Sequence, residues 1–142
     1  MIKAIAAPKA QYPKLLVVSY MYAVILAALA VVQLMGVGGF EFAHISYQTP
    51  GLPGIIVAIA ALEIFALPFL LRLDLSPLAR FFSAVFALAA PLFVLVNMIY
   101  LIAESMLATD WLAITASVLL VVLGVASFVV LNGTRALHFP KK

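Results

Sequence analysis

Cysteine is absent from the 142 residues, which excludes disulfides, thiol chemistry and thiolate metal sites. Charge is nearly as scarce: 9% of residues are Asp, Glu, Lys or Arg, against about 25% in a typical soluble domain. A chain so poor in polar side chains cannot cover a water-facing surface, so a sizeable soluble domain and a multidomain enzyme are both excluded. No glycine-rich phosphate loop or Walker pattern is present either. What fills the sequence instead is apolar: 68% of residues are hydrophobic, and mean hydropathy is +1.29. This is the composition of an integral membrane protein, and the length allows about four spanning helices of about 20 residues each.

Four apolar runs carry that expectation, at residues 15–37, 55–71, 81–102 and 111–131. Each has the length that crosses a hydrocarbon core of about 30 Å. In lipid each must be a helix, because no water satisfies an open backbone. The last run stops at Asn132-Gly133, a helix-terminating pair. The fold expected is all-α: one membrane domain over 1–142, an antiparallel bundle of four transmembrane helices.

The cations all fall on one side of that topology. Lys3, Lys9 and Lys14 precede the first run, Arg72 and Arg80 lie between the second and third, and Arg135, Lys141 and Lys142 follow the fourth. The first and third connections hold only Glu41, Glu104 and Asp110. The positive-inside rule then predicts both termini in the cytoplasm, with a bacterial-type inner membrane as the expected location. Phe40, Phe42, Tyr47, Tyr100 and Trp111 fall at the opposite boundary, as an aromatic belt does. The net charge of +3 is thereby explained by lipid headgroups rather than nucleic acid. Three lysines followed by an apolar run and Ala28-Leu29-Ala30 also resemble a cleavable signal peptide. The run continues to Val37, too long for a signal core, and is read as a retained helix.

Small residues recur at helical spacing and mark the faces on which helices approach closely. Ala23, Ala27 and Ala30 lead to Gln33; Ser83, Ala87 and Ala90 lead to Asn97; Ala113, Ser117, Gly124 and Ser127 form a third stripe. Ala60 and Ala66 flank Glu63 on the second helix. Packing alone accounts for most such residues. Pro68 and Pro91 lie inside runs, and each removes the donor that the carbonyl of Ile64 or Ala87 would otherwise receive.

Glu63 is the one ionisable side chain well inside a run, about 12 Å from either end at 1.5 Å per residue. An ionised acid there costs roughly 2.5 kcal/mol or more, so it must be protonated, paired or hydrated. No run offers a Lys or Arg, which makes a protonated Glu63, bonded to Asn97, a tyrosine or a ligand, the most economical state. A proton relay, a ligand anchor and a purely structural clamp between helices all remain open for it. Gln33, Asn97, Thr115 and Ser117 are expected in the external half, which points to a polar recess opening outward with Glu63 at its floor.

The connection at 38–54 is the longest and is a candidate lid, with Glu41, His44 and Tyr47 as its candidate contacts. Glu41 and His44 are three apart, the spacing that di-iron bundles use twice, but it occurs once here. A metal would need Glu104, Asp110 or a second protomer, and none is expected. His44 and His138 are predicted a membrane thickness apart, which argues against bis-histidine haem.

The stretch Pro50-Gly51-Leu52-Pro53-Gly54, followed by Glu63 within Ala61-Leu62-Glu63-Ile64, resembles the DoxX-like group of small four-helix membrane proteins, with its MauE-type relatives. There a Gly-Leu-Pro turn precedes a second helix bearing a glutamate, and a short basic connection follows, as Arg72 to Arg80 would here. The likeness covers about residues 20–82. Only Glu63 and the 51–53 turn carry over residue by residue; the arginine near the start of the first helix and the Gly-x-x-Lys that often closes it are missing. What the resemblance implies is an accessory protein beside redox enzymes, binding a quinone, a lipid or a partner membrane subunit; no catalysis of its own is expected, because redox-active residues and evident cofactor ligands are lacking. A small proton-coupled transporter and a purely structural subunit of a membrane complex are the alternatives. The sequence leaves open whether the chain forms a homo-oligomer.

Overall fold

The structure is a computed structural model that describes residues 10–37, 52–103 and 111–131, apart from the side chains of Leu52, Pro53 and Leu101. It is helical throughout, with four long helices and no strand among the described residues. A 3-10 turn at Pro13–Leu15 leads into α1 (Leu16–Val37), followed by α2 (Leu52–Leu70), α3 (Pro77–Ala103) and α4 (Trp111–Leu131). Three segments, Pro13–Val37, Pro77–Tyr100 and Trp111–Leu131, are long and apolar enough to cross a membrane; the apolar stretch of α2, Gly54–Leu70, is shorter. The protein therefore reads as an integral membrane protein.

Two helix starts differ from the apolar runs. The second helix begins at Leu52 rather than 55, so Pro53 and Gly54 belong to its first turn and not to the preceding connection. Proline is at home there, because the first backbone N–H groups of a helix have no partner inside it. The third begins at Pro77 rather than 81, with the Ser76 hydroxyl accepting the Ala79 N–H at 3.3 Å as an N-cap. Arg80 consequently lies inside α3, over the ring of Phe69 at 5.8 Å. Hydropathy alone places these starts late, since Pro53, Gly54, Pro77 and Arg80 in the first turns read as breakers or charge.

The exit from α2 is set by a left-handed residue. Arg72 has φ 57°; its N–H bonds Phe69 O at 3.1 Å, and the Leu73 N–H bonds Pro68 O at 3.0 Å. That pair of bonds is a Schellman closure, with arginine where glycine is usual.

Each helix packs against its sequence neighbours, and α1 against α4 closes the ring. The core holds Tyr22, Leu26, Phe69, Leu70, Ala84, Ala87, Phe128 and Leu131. Outward lie large apolar side chains such as Val17, Val24, Phe65, Val96, Leu112 and Val122, a surface suited to lipid. The small-residue stripes face inward: Ala23, Ala30, Ala60, Ala66, Ser83, Ala87, Ala90, Ser117, Gly124 and Ser127 are all buried.

The carbonyl freed by Pro91 is met by a hydroxyl from another helix, and a second hydroxyl bridges the rung next to Pro68. Tyr22 on α1 reaches across the bundle and donates to Ala87 O on α3 at 2.8 Å, the carbonyl that Pro91 leaves without its helical donor. Beside Pro68, the Ser83 hydroxyl accepts the Phe69 N–H at 3.0 Å and donates to Phe65 O at 2.7 Å, bridging one rung of α2 from α3. The Tyr22 contact needs a glycine opposite. A Cβ on Gly124 would stand 3.0 Å from Tyr22 Oη, 3.2 Å from Ala87 O and 3.3 Å from Pro91 Cγ.

Candidate functional site

Glu63 is wholly buried, 0% exposed, between the equally buried Ala60 and Ala66. Those two methyl-sized neighbours let α1 come close enough for Gln33 to reach the acid. The Gln33 Nε2 donates to Glu63 Oε1 at 3.1 Å. Glu63 Oε2 and Gln33 Oε1 are both buried and have no hydrogen-bond partner among the described residues. A buried polar atom left unpaired costs about 1–3 kcal/mol. Two such atoms in one carboxyl–amide pair make the site unusually receptive to a proton or a hydrogen-bond donor. Carboxylic acids and primary amides can exchange two bonds in a ring, and here the geometry holds one.

On the same face of α2, Ile59 and Ile55 lie one and two turns before Glu63. They line an apolar groove between α2 and α3 of about 200 Å³, completed by Phe93, Val96, Asn97 and Tyr100. The groove runs up to the turn of α2 that carries Glu63, but Glu63 itself does not line it. Asn97 is half-buried there.

The expected site residues are thus divided. Gln33 and Glu63 are brought together; Asn97 stands in the groove rather than on the carboxyl. The Thr115 hydroxyl donates to Trp111 O at 2.7 Å and that of Ser117 to Ala113 O at 2.8 Å, so both bond their own helix. Thr115 is exposed and Ser117 buried. Glu41, His44 and Tyr47 lie outside the described residues, as do Glu104 and Asp110. Among the described residues no group of three His, Asp or Glu side chains is placed to hold a metal ion.

Sequence reasoning missed Tyr22 and Ser83. A signal for Tyr22 existed: Pro91 frees the Ala87 carbonyl, and a buried donor had to be found for it. Nothing in the sequence singled out Ser83 from the other small residues of its stripe. Comparison of the chain with protein-family models, with curated proteins and with solved structures finds no match.

Proposed function

We propose that the chain is a DoxX-like accessory protein of the bacterial-type inner membrane that binds an amphiphilic ligand, of quinone or lipid type, in the groove between α2 and α3. The groove carries this reading. Its walls are aliphatic and aromatic, and Asn97 and Tyr100 supply two polar groups to orient a head group, the usual make-up of a small-molecule site. At about 200 Å³ it is smaller than the roughly 300–1,000 Å³ of enclosed ligand clefts, so it takes the head of a long molecule whose tail lies along the lipid-facing flank. Glu63 and Gln33 stiffen the α1–α2 contact at its inner end.

The topology that goes with this reading is four antiparallel passes with both termini cytoplasmic. Support comes from the first and last helices: the Gln11 and Tyr12 N–H groups bond Leu131 O at 3.4 Å and Val130 O at 3.1 Å. The entry to α1 and the exit of α4 therefore share one end of the bundle, as an even number of passes requires. Arg80 belongs to that end too, stacked on Phe69, whose ring meets Phe128 at 6.2 Å.

Native mass spectrometry of the protein, purified gently from its own membrane, tests the ligand. The expected result is added mass of a quinone, a lipid or a partner polypeptide, lost in Ile59→Trp, which fills the groove, while helicity is kept. A bare chain or homodimer in the wild type overturns it. A small proton-coupled carrier is the second reading, favoured by the full burial of Glu63; uptake by sealed liposomes that follows a pH gradient and vanishes in Glu63→Gln would replace the first.

A further inference from the structure

The cations of this chain lie far from its groove. Of the eight Lys and Arg residues, none falls between 15 and 71 or between 81 and 134. The described ones, Lys14, Arg72 and Arg80, stand before α1, after α2 and in the first turn of α3. The groove lies at the other ends of α2 and α3, with Ile55 in the first turn of α2 and Tyr100 in the last turn of α3. At 1.5 Å per residue, Asn97 is about 26 Å along α3 from Arg80, and Ile55 about as far from Arg72. No arginine side chain reaches across that distance. The lining holds no acid either.

Helix dipoles do not supply the missing charge. The positive N-terminal end of α2 and the negative C-terminal end of α3 border the same groove, and being opposite in sign they offset each other. Pro53 also removes one of the free donors from the first turn of α2. The two polar side chains are themselves neutral. Asn97 through its amide and Tyr100 through its hydroxyl can each donate and accept. Phe93, Asn97 and Tyr100 follow one another at four and three residues, so they share one face of α3. Phe93 is about 10 Å farther from the end of α3 than Tyr100, and Ile59, 4% exposed, is one turn deeper in α2 than Ile55. The groove is thus polar toward the helix ends and apolar toward the middle of the bundle.

We propose that the groove takes an amphiphile with an uncharged head, one that bears carbonyl or hydroxyl oxygens and no phosphate. The proposal rests on the groove being the ligand site. Asn97 and Tyr100 hold the head by hydrogen bonds in both directions, and the tail passes Phe93 and Ile59 toward the middle of the bilayer. A phosphate in the same place leaves water for apolar walls and meets no cation, a transfer that only a paired charge repays. Anionic phospholipid heads are served by the basic end of the bundle, a helix length away. The charge map therefore divides the membrane's lipids between the two ends, with phosphate at one and an uncharged ligand at the other.

Native mass spectrometry of the full chain, stripped of lipid in detergent, tests it by titration with three probes. Dioleoylglycerol and decylubiquinone are uncharged; dioleoylphosphatidylglycerol shares the tails of the first and is anionic. An uncharged probe should be retained at about a tenth of the concentration that phosphatidylglycerol needs, the effect of one unmet charged hydrogen bond. Ile59→Trp, which fills the groove, should abolish that difference. Asn97→Lys should reverse the order about tenfold, because the ammonium gives the phosphate its charged partner. Tyr100→Arg, at an exposed position, makes the same reversal should Asn97→Lys not fold. Phosphatidylglycerol held as tightly as the uncharged probes or tighter, and displaced by Ile59→Trp, overturns the uncharged head while the groove stands as a site. Adducts of every probe left unchanged by Ile59→Trp overturn the groove itself, and this inference with it.

Discussion

Gly124→Ala is the sharpest probe of how this bundle is held. In an ordinary helix interior the change stabilises by about 1 kcal/mol through helix propensity. Here the added methyl meets three atoms at 3.0, 3.2 and 3.3 Å. Ala87 O is backbone and Pro91 Cγ belongs to a rigid ring, so neither yields without moving α3. Tyr22 Oη is the tip of a side chain, but its bond to Ala87 O at 2.8 Å pins it. Displacing it loses a bond of about 1 kcal/mol and leaves that carbonyl unpaired. Overpacking a tight site costs about 1–3 kcal/mol, so the propensity gain is outweighed and a net loss of about 1–2 kcal/mol is expected. The assay is equilibrium unfolding in mixed detergent micelles, followed by helical circular dichroism. A cycle with Tyr22→Phe should show coupling of about 0.5–1 kcal/mol, because the phenylalanine has already removed the oxygen that the methyl meets. A Gly124→Ala protein as stable as the wild type, or more so, refutes the reasoning.

Two further expectations concern the ends and middle of α2. Ser83→Ala removes the bridge between Phe69 N–H and Phe65 O and should lower stability by about 1–3 kcal/mol in the same assay; a loss below experimental error would mean that α2 closes this rung by itself. Arg72→Gly should be more stable than Arg72→Ala by about 1 kcal/mol, since both delete the side chain and only glycine takes the left-handed φ of 57° without strain. Equal stabilities would show that the Schellman closure rearranges around alanine.

Much of the architecture was legible in the sequence because lipid removes alternatives. An apolar run with no water available to its backbone must be helical, so the positions of four helices followed from hydropathy, and α4 coincides with the run 111–131. Small residues at helical spacing named the inward faces, because only they permit close approach. Proline chemistry identified Ala87 as a carbonyl in need of a donor. Helix starts at Leu52 and Pro77 were less legible, since Pro53 and Gly54 in one first turn and Pro77 and Arg80 in the other read as breakers or charge rather than as part of an apolar run.

The site was legible only in its elements. Glu63 stood out because an acid inside an apolar run is costly anywhere, whatever the packing around it. Which group answers it depends on the rotation and register of α1 against α2, and these are set by many weak contacts that no single residue encodes. The tertiary structure selected Gln33 for the carboxyl and left Asn97 in the groove beside Ile59. It likewise chose Tyr22 from the polar residues of the first run for the Ala87 carbonyl, by setting Gly124 where the hydroxyl needed room. Composition and periodicity determine that helices form and which faces they bury. Partners across the bundle are decided by distance, and distance exists only once the helices have packed.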